Sequence, residues 1–275
     1  MTIGSDGAKI QAYKVYAIRY ATDATWRRGR GFVHDPSPDR LMRMDFFCWL
    51  AVNDHDSIVI DTGCTRTRAE EMGHEFVCDP LDALRKLGVE PQDVRSLIVT
   101  HCHYDHIGNL AAFPKAAIHM QRRELEFVNG PHMRHACFRR GYCTDDLAAL
   151  LPLLHAGRIV LHEGDVTLAP GLSLHLVGGH TMGLQCVRIL TDSGWIVLAS
   201  DALHYYHEIE ASVPWSSNVF HVGEMMDAHS KMKDLAKTAA HIVPGHDPLV
   251  MERFAPSNRA DTCVELHAGP ACCRV

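Results

Sequence analysis

Long hydrophobic runs, basic clusters and paired cysteines are scarce in this chain, and each scarcity removes a class of function. No apolar stretch reaches the roughly 18 residues that a membrane-spanning helix needs, so no membrane association is expected. Lysine and arginine number 27 against 33 aspartates and glutamates, for a formal charge of −6. With no basic stretch interleaved with aromatics, the electrostatic footprint of a nucleic-acid binder is missing, and a small molecule is the expected partner. Met1 to Lys9 carry no apolar signal-peptide core, which gives a cytoplasmic expectation. The ten cysteines fall singly apart from Cys272-Cys273. Without a secretory signal they read as reduced, mostly buried thiols rather than a disulfide framework. Repeats and linker-like segments are also missing, so residues 1–275 read as one domain, with a loop insertion near 21–43 and a tail after 254.

What the chain does contain is a regular alternation of apolar runs and polar turns. Strands are expected at Tyr13 to Arg19, Phe46 to Val52 and Ser57 to Ile60, then at Leu97 to Val99 and Ala116 to Met120. Helices are expected at Pro80 to Leu87, Ile107 to Phe113, Thr144 to Leu154, with Thr144 as its N-cap, and Glu224 to Ala240. From Arg158 the pattern is mostly short strands: 158–161, 166–169, 172–177, 185–190, 195–199 and a last one at 241–243. Strand-rich halves with helices attached imply an α/β fold of two packed sheets flanked by helices.

The densest chemistry is His101-Cys102-His103-Tyr104-Asp105-His106, directly after the apolar run ending at Thr100. Four ligand-type side chains in six positions at a strand end suit a catalytic divalent ion better than a structural zinc, because no thiolate set accompanies them. Cys102 is expected to point away from its histidine neighbours. Three further turns repeat the placement: Gly178-Gly179-His180, Ser200-Asp201 and Gly245-His246. Seven potential ligands with one carboxylate able to bridge match the needs of two adjacent ions. Other histidines, His74, His119 and His229 among them, carry no role in this reading.

With H-x-H-x-D-H followed in order by a glycine-flanked His, an Asp and a late His, the chain resembles the metallo-β-lactamase superfamily, and the likeness includes Asp61-Thr62-Gly63. The resemblance implies a four-layer αββα sandwich. It implies two divalent ions per chain, zinc first among them. His101, His103 and His180 would hold one ion, Asp105, His106 and His246 the other, and Asp201 would bridge them together with a hydroxide. It gives Asp61 an orienting role behind the ligands.

Within the superfamily, Ser200-Asp201-Ala202 and Val243-Pro244-Gly245-His246-Asp247 look most like the N-acyl homoserine lactonase group, quorum-quenching hydrolases that open a lactone ring. In that group a Tyr three residues after the bridging Asp contacts the substrate carbonyl. Here that position is His204, with Tyr205 and Tyr206 beside it, so His204 or a neighbouring Tyr, Tyr205 first, is expected to take the role. Asp105 is expected to shuttle the proton. Apolar candidates for an acyl-chain groove are Trp26, Phe32, Met42, Phe138 and Tyr142. The resemblance also brings a homodimer into view. The competing readings are a hydrolase of another cyclic ester or amide, such as a pyridoxolactone or a β-lactam, and a non-catalytic relative of the fold.

Overall fold

A computed structural model describes residues 11–271, so Met1 to Lys9 and Cys272-Cys273 lie outside the described residues. The strands are β1 (Lys14–Asp23), β2 (Met44–Val52), β3 (Ser57–Ile60), β4 (Glu75–Phe76), β5 (Ser96–Ile98), β6 (Ala117–Gln121), β7 (Ile159–His162), β8 (Val166–Ala169), β9 (Leu172–Leu176), β10 (Gln185–Thr191), β11 (Gly194–Ser200), β12 (Ile242–Pro244), β13 (Ala255–Pro256) and β14 (Cys263–Glu265). They form two sheets. One runs β13-β14-β1-β2-β3-β5-β6-β7, with β4 on β1, and the other runs β12-β11-β10-β9-β8.

The apolar runs follow from burial on both faces. In β2, Phe47, Trp49 and Ala51 face the second sheet, where they meet Leu174, Val187 and Leu198 in the layer between the sheets. The alternate residues Phe46, Cys48 and Leu50 join the cluster beneath the helices of the first sheet. The outer face of the second sheet, with Cys186, Val197 and Ile242, is covered by Ala228 and Met232 of the helix Val222–Leu235. Helix, sheet, sheet, helix is the four-layer αββα sandwich expected from the sequence.

Where elements differ from expectation, tertiary hydrogen bonds are the cause. The helix expected at Ile107 to Phe113 breaks into Tyr104–Ile107 and a 3-10 turn at Leu110–Ala112. The amide of Gly108 is claimed by the carbonyl of Gly63 and that of Asn109 by Thr62 Oγ1. The long helix ends at Leu235, five residues early, and Lys237 donates its amide to Trp195 on β11 instead. The helix Thr144–His155 has Cys143, not Thr144, in its cap position, while Asp145 and Asp146 occupy the first turn as expected. Several helices, Arg66–Glu71, Arg122–Val128, Tyr206–Ala211 and Leu249–Arg253 among them, were not legible in the sequence pattern.

The segment after 254, expected as a tail, instead supplies two strands, with β14 pairing antiparallel to β1 through Tyr16 and Glu265 and through Ile18 and Cys263. Val264 and Leu266 are 1% and 0% exposed and belong to the layer between the sheets. Leu266→Ala should therefore cost about 2–5 kcal/mol, the range for emptying a packed leucine site. Urea denaturation followed by tryptophan fluorescence checks it, and an unchanged midpoint would mean that the segment is an appendage.

Candidate metal centre

The four ligand-bearing turns all lie at one rim of the sandwich. His101 to His106 follow β5, His180 follows β9, Asp201 follows β11 and His246 follows β12. Backbone conformation holds two of these turns. Gly178 and Gly179 have φ of +64° and +85°, and a Cβ on Gly179 would lie 2.6 Å from the Met225 amide, so only glycine lets this turn pack on the helix behind it. Ser200, which leads into Asp201, has φ +48°, a conformation few non-glycine residues adopt.

His101, His103, His180 and Asp201 converge in one group, and Asp105, His106 and His246 in another. In the first, His103 Nδ1 is 3.0 Å from both His101 Nε2 and His180 Nε2, and His180 Nε2 is 3.2 Å from Asp201 Oδ2. Tetrahedral zinc with Zn–N bonds near 2.05 Å separates its ligand nitrogens by ~3.3 Å, so the spacing fits. In the second, His106 Nε2 is 3.6 Å and His246 Nε2 3.8 Å from Asp105 Oδ2. Both of those nitrogens are 3.2 Å from Asp201 Oδ1. Asp201 thus stands between the two groups, with His180 against Oδ2, His106 against Oδ1, and His246 Nε2 within 3.3 Å of both oxygens.

The donors of the first group are also in the protonation state a cation requires. Burial lowers the pKa of His101, His103 and His180, that of His103 to about 4, which keeps these imidazoles neutral. Burial would push Asp201 upward, but His246, His106, His204 and His101 around it hold it well below the usual carboxylate range. His106 and His246 are raised despite their burial, because the carboxylates Asp105, Asp61 and Asp201 act on the former and Asp201 and Asp105 on the latter. His106 Nε2 is buried with no hydrogen-bond partner. A divalent cation among these carboxylates would supply the missing positive charge, so the residues fit a metal. Cys102 takes no part: it is fully buried in the core beneath the helices.

Behind the ligands stand buried acceptors. Asp61 Oδ2 is 2.8 Å from His106 Nδ1, and Asp61 also accepts the amide and hydroxyl of Thr100, so it has the orienting position expected of it. The carbonyl of Asp45 fixes His246 in the same way, 2.9 Å from its Nδ1. These contacts set the tautomer and aim Nε2 at the centre. Glu124 was missed by sequence reasoning. Fully buried, it accepts the amides of Cys102 and Gly183 and the hydroxyl of Thr181, tying the H-x-H-x-D-H turn to the His180 turn. The available signal was its spacing, since Glu124, Phe127 and Val128 share the buried face of their helix.

A cavity of about 260 Å³ opens onto the centre, and His103, Asp105, His180, Asp201, His204 and His246 reach it. His204 is brought to the centre, with Nε2 3.3 Å from Asp201 Oδ2. Tyr205 is not: its hydroxyl donates to the carbonyl of Arg43 at 3.3 Å and its ring packs on Phe32 and Trp215, so the expectation that Tyr205 contacts substrate is corrected. Tyr206 lies in the layer between the sheets. Of the groove candidates, Trp26 lines the cavity, while Phe138 and Tyr142 line a small neighbouring one. Phe32 and Met42 belong to the packing behind it. His74, given no role from sequence, also lines the cavity, 2.8 Å from the Tyr104 hydroxyl and packed at a tilt of 35° on Phe46. A lone histidine after a helix carries no sequence signal for such a place.

Similarity to known proteins agrees with this geometry. An N-acyl homoserine lactonase of Bacillus thuringiensis is 28% identical over 227 residues, 77% of this chain and 84% of the relative. The N-acyl homoserine lactonase AttM of Azorhizobium caulinodans is 32% identical over 177 residues, 60% of this chain and 62% of the relative. The solved structure of a quorum-quenching N-acyl homoserine lactone lactonase superposes with a TM-score of 0.72 at 25% identity, covering 88% of this chain and 95% of that one. Residues 47–246 match the family described as the metallo-beta-lactamase superfamily; with nearly three quarters of its length inside that match and its strand-end histidines and aspartates in the order the family requires, this chain belongs to the metallo-beta-lactamase superfamily.

Proposed function

We propose that this metal-dependent hydrolase opens the ring of N-acyl homoserine lactones at a centre of two divalent ions. The observation that carries the proposal is the placement of Asp201 between two ligand groups, with His180 against one of its oxygens and His106 against the other. The lactonase names of the relatives support the substrate class. In this reading His101, His103 and His180 hold one ion, Asp105, His106 and His246 the other, and Asp201 both; zinc suits the imidazole-rich set. Residues 14–265 act as one catalytic domain, since β1 and β14 pair across that whole length. Among the described residues no helix is long and apolar enough to cross a membrane.

Two such ions supply a water of lowered pKa and a Lewis acid for the carbonyl oxygen. The chain's own residues do the rest. Asp105 reaches the cavity beside His106 and His246, placed to accept the proton of the attacking water and return it to the leaving alkoxide. Its main-chain carbonyl accepts the buried Tyr20 hydroxyl at 2.7 Å, which fixes the backbone that carries the carboxylate. The cavity wall formed by Trp26, Met44 and Phe46 offers apolar surface to an acyl chain. Two roles are open to His204, hydrogen-bond donor to the carbonyl or ligand to an ion. They exclude each other, because a ring nitrogen that binds a cation has no proton to give.

The purified protein should hydrolyse short- and long-chain N-acyl homoserine lactones in a pH-stat, lose that activity to a chelator, and carry two ions per chain. Two bound ions without lactone hydrolysis would move the substrate to another cyclic ester or amide, or leave a non-catalytic relative. Asp201→Asn should lower the occupancy of both ions together, read as metal content after gel filtration; two tightly held ions would sink the bridging assignment. Glu124→Ala leaves three buried donors without an acceptor, and should weaken metal binding by roughly 10- to 100-fold, the usual cost of losing a group that orients ligands. Chelator competition measures it, and unchanged affinity would show that the two turns hold their places without Glu124.

A further inference from the structure

We propose that His204 is itself a metal ligand, binding through Nε2 to the ion shared by Asp201 and His246. The proposal rests on the dinuclear reading of the centre and adds to it a ligand outside the H-x-H-x-D-H, His, Asp, His pattern. The ligand atoms of Asp201, His204 and His246 form a third convergent group, all within 4.8 Å of one another. His204 is 2% exposed.

The fold builds this convergence. The turn carrying His204 and the turn carrying His246 are hydrogen-bonded to each other, Gly245 N to Leu203 O at 2.8 Å and His246 N to His204 O at 3.1 Å. The His204 ring is sandwiched between Trp215, 4.3 Å away and inclined by 15°, and His246, 5.4 Å away and inclined by 22°. Trp215 is held in its turn. It stacks on Trp26, whose other side carries the Arg30 guanidinium at 3.9 Å, and it fills the space that a Cβ on Gly31 would occupy. The clamp fixes the plane of the ring, in which Nε2 lies 3.3 Å from Asp201 Oδ2.

Proton accounting separates ligation from hydrogen-bond donation. The Nε2 atoms of His106, His180, His204 and His246 all lie 3.2 or 3.3 Å from the Asp201 carboxylate. For His106 and His246 the single proton of a neutral ring is already committed at Nδ1, to Asp61 and to the Asp45 carbonyl. Nδ1 of His204 is buried without a hydrogen-bond partner, with Glu208 Oε1 3.8 Å away. Glu208 is fully buried, and its Oε1 accepts the amides of His204 and Tyr205 at 2.7 and 2.8 Å. A proton on Nδ1 lies toward this carboxylate and leaves a lone pair on Nε2. Lone pairs on several buried imidazoles facing one carboxylate repel unless a cation stands among them. The opposite tautomer carries its proton on Nε2, 3.3 Å from Asp201 Oδ2. In either tautomer the N–H lies toward a buried carboxylate, and the lone-pair tautomer completes a coordination shell. The ion it joins then has three imidazoles and two carboxylates, a set that favours zinc or cobalt over manganese.

The test is cadmium-113 nuclear magnetic resonance on the unmutated protein loaded with 113Cd and carrying 15N-histidine. A one-bond coupling between cadmium and His204 Nε2, identified by the ring's contacts with Trp215, is the expected result. Two bound cadmium ions with no coupling at His204 would overturn the ligation alone, whereas fewer than two ions would overturn the dinuclear reading and the ligation with it. In a parallel measurement, His204→Phe keeps an aromatic ring against Trp215 but offers no lone pair. Its second cobalt ion should be weakened by roughly 10-fold or more in chelator competition, and the first left unchanged. Equal affinity for both ions in the parent and the variant would count against ligation irrespective of activity.

Discussion

One buried carboxylate organises this molecule. Asp201 is 3% exposed, and a lone anion at that depth would cost several kcal/mol or give up its charge. It keeps the charge because imidazoles from four separate turns are brought around it, and those turns can meet only where the ends of β5, β9, β11 and β12 share one rim. The two-sheet sandwich is the frame that makes such a meeting possible, since strands of both sheets end at the same side.

A second layer of buried acids keeps the turns in register. Asp61 holds His106 and Thr100, Glu124 joins the turn after β5 to the turn after β9, and Glu208 caps the turn that carries His204. Each accepts several donors, which is the condition under which a buried carboxylate stabilises rather than disrupts. Thr100 Oγ1 contacts Ser200 Oγ at 2.8 Å, so the two sheets are tied directly behind the centre. The early segment 21–43 adds the outer wall, with Trp26 and Arg30 stacked in line with Trp215 and His204.

Strand positions were legible in the sequence because both faces of these strands are buried, and continuous apolar runs such as Phe46 to Val52 are what double burial demands. Helix limits were less legible. The break after Ile107 and the early end at Leu235 come from amides claimed by residues far along the chain, and no local pattern reports such bonds. The strand β14 is three residues long, too short for any alternation to mark it. Of the candidate site residues, the seven from the strand-end turns and His204 are brought together, and Tyr205 is turned toward Arg43. Adjacent positions on a turn point in different directions, so a sequence can nominate both His204 and Tyr205 while the backbone admits only one.

By itself the sequence determined the fold class and the inventory of the centre, because metal chemistry demands particular side chains at strand ends and these leave a dense, ordered signature. Tertiary structure decided what lies between those signatures: that Glu124 and His74 stand at the site, that the segment after 254 completes the first sheet, and that the His204 ring is clamped by Trp215 with its nitrogen toward Asp201. The physical reason is range. Ligand type is a property of one residue, whereas the direction of a ring and the partner of a buried carboxylate are set by packing between distant segments, such as the Asp45 carbonyl and the His246 ring, 201 residues apart.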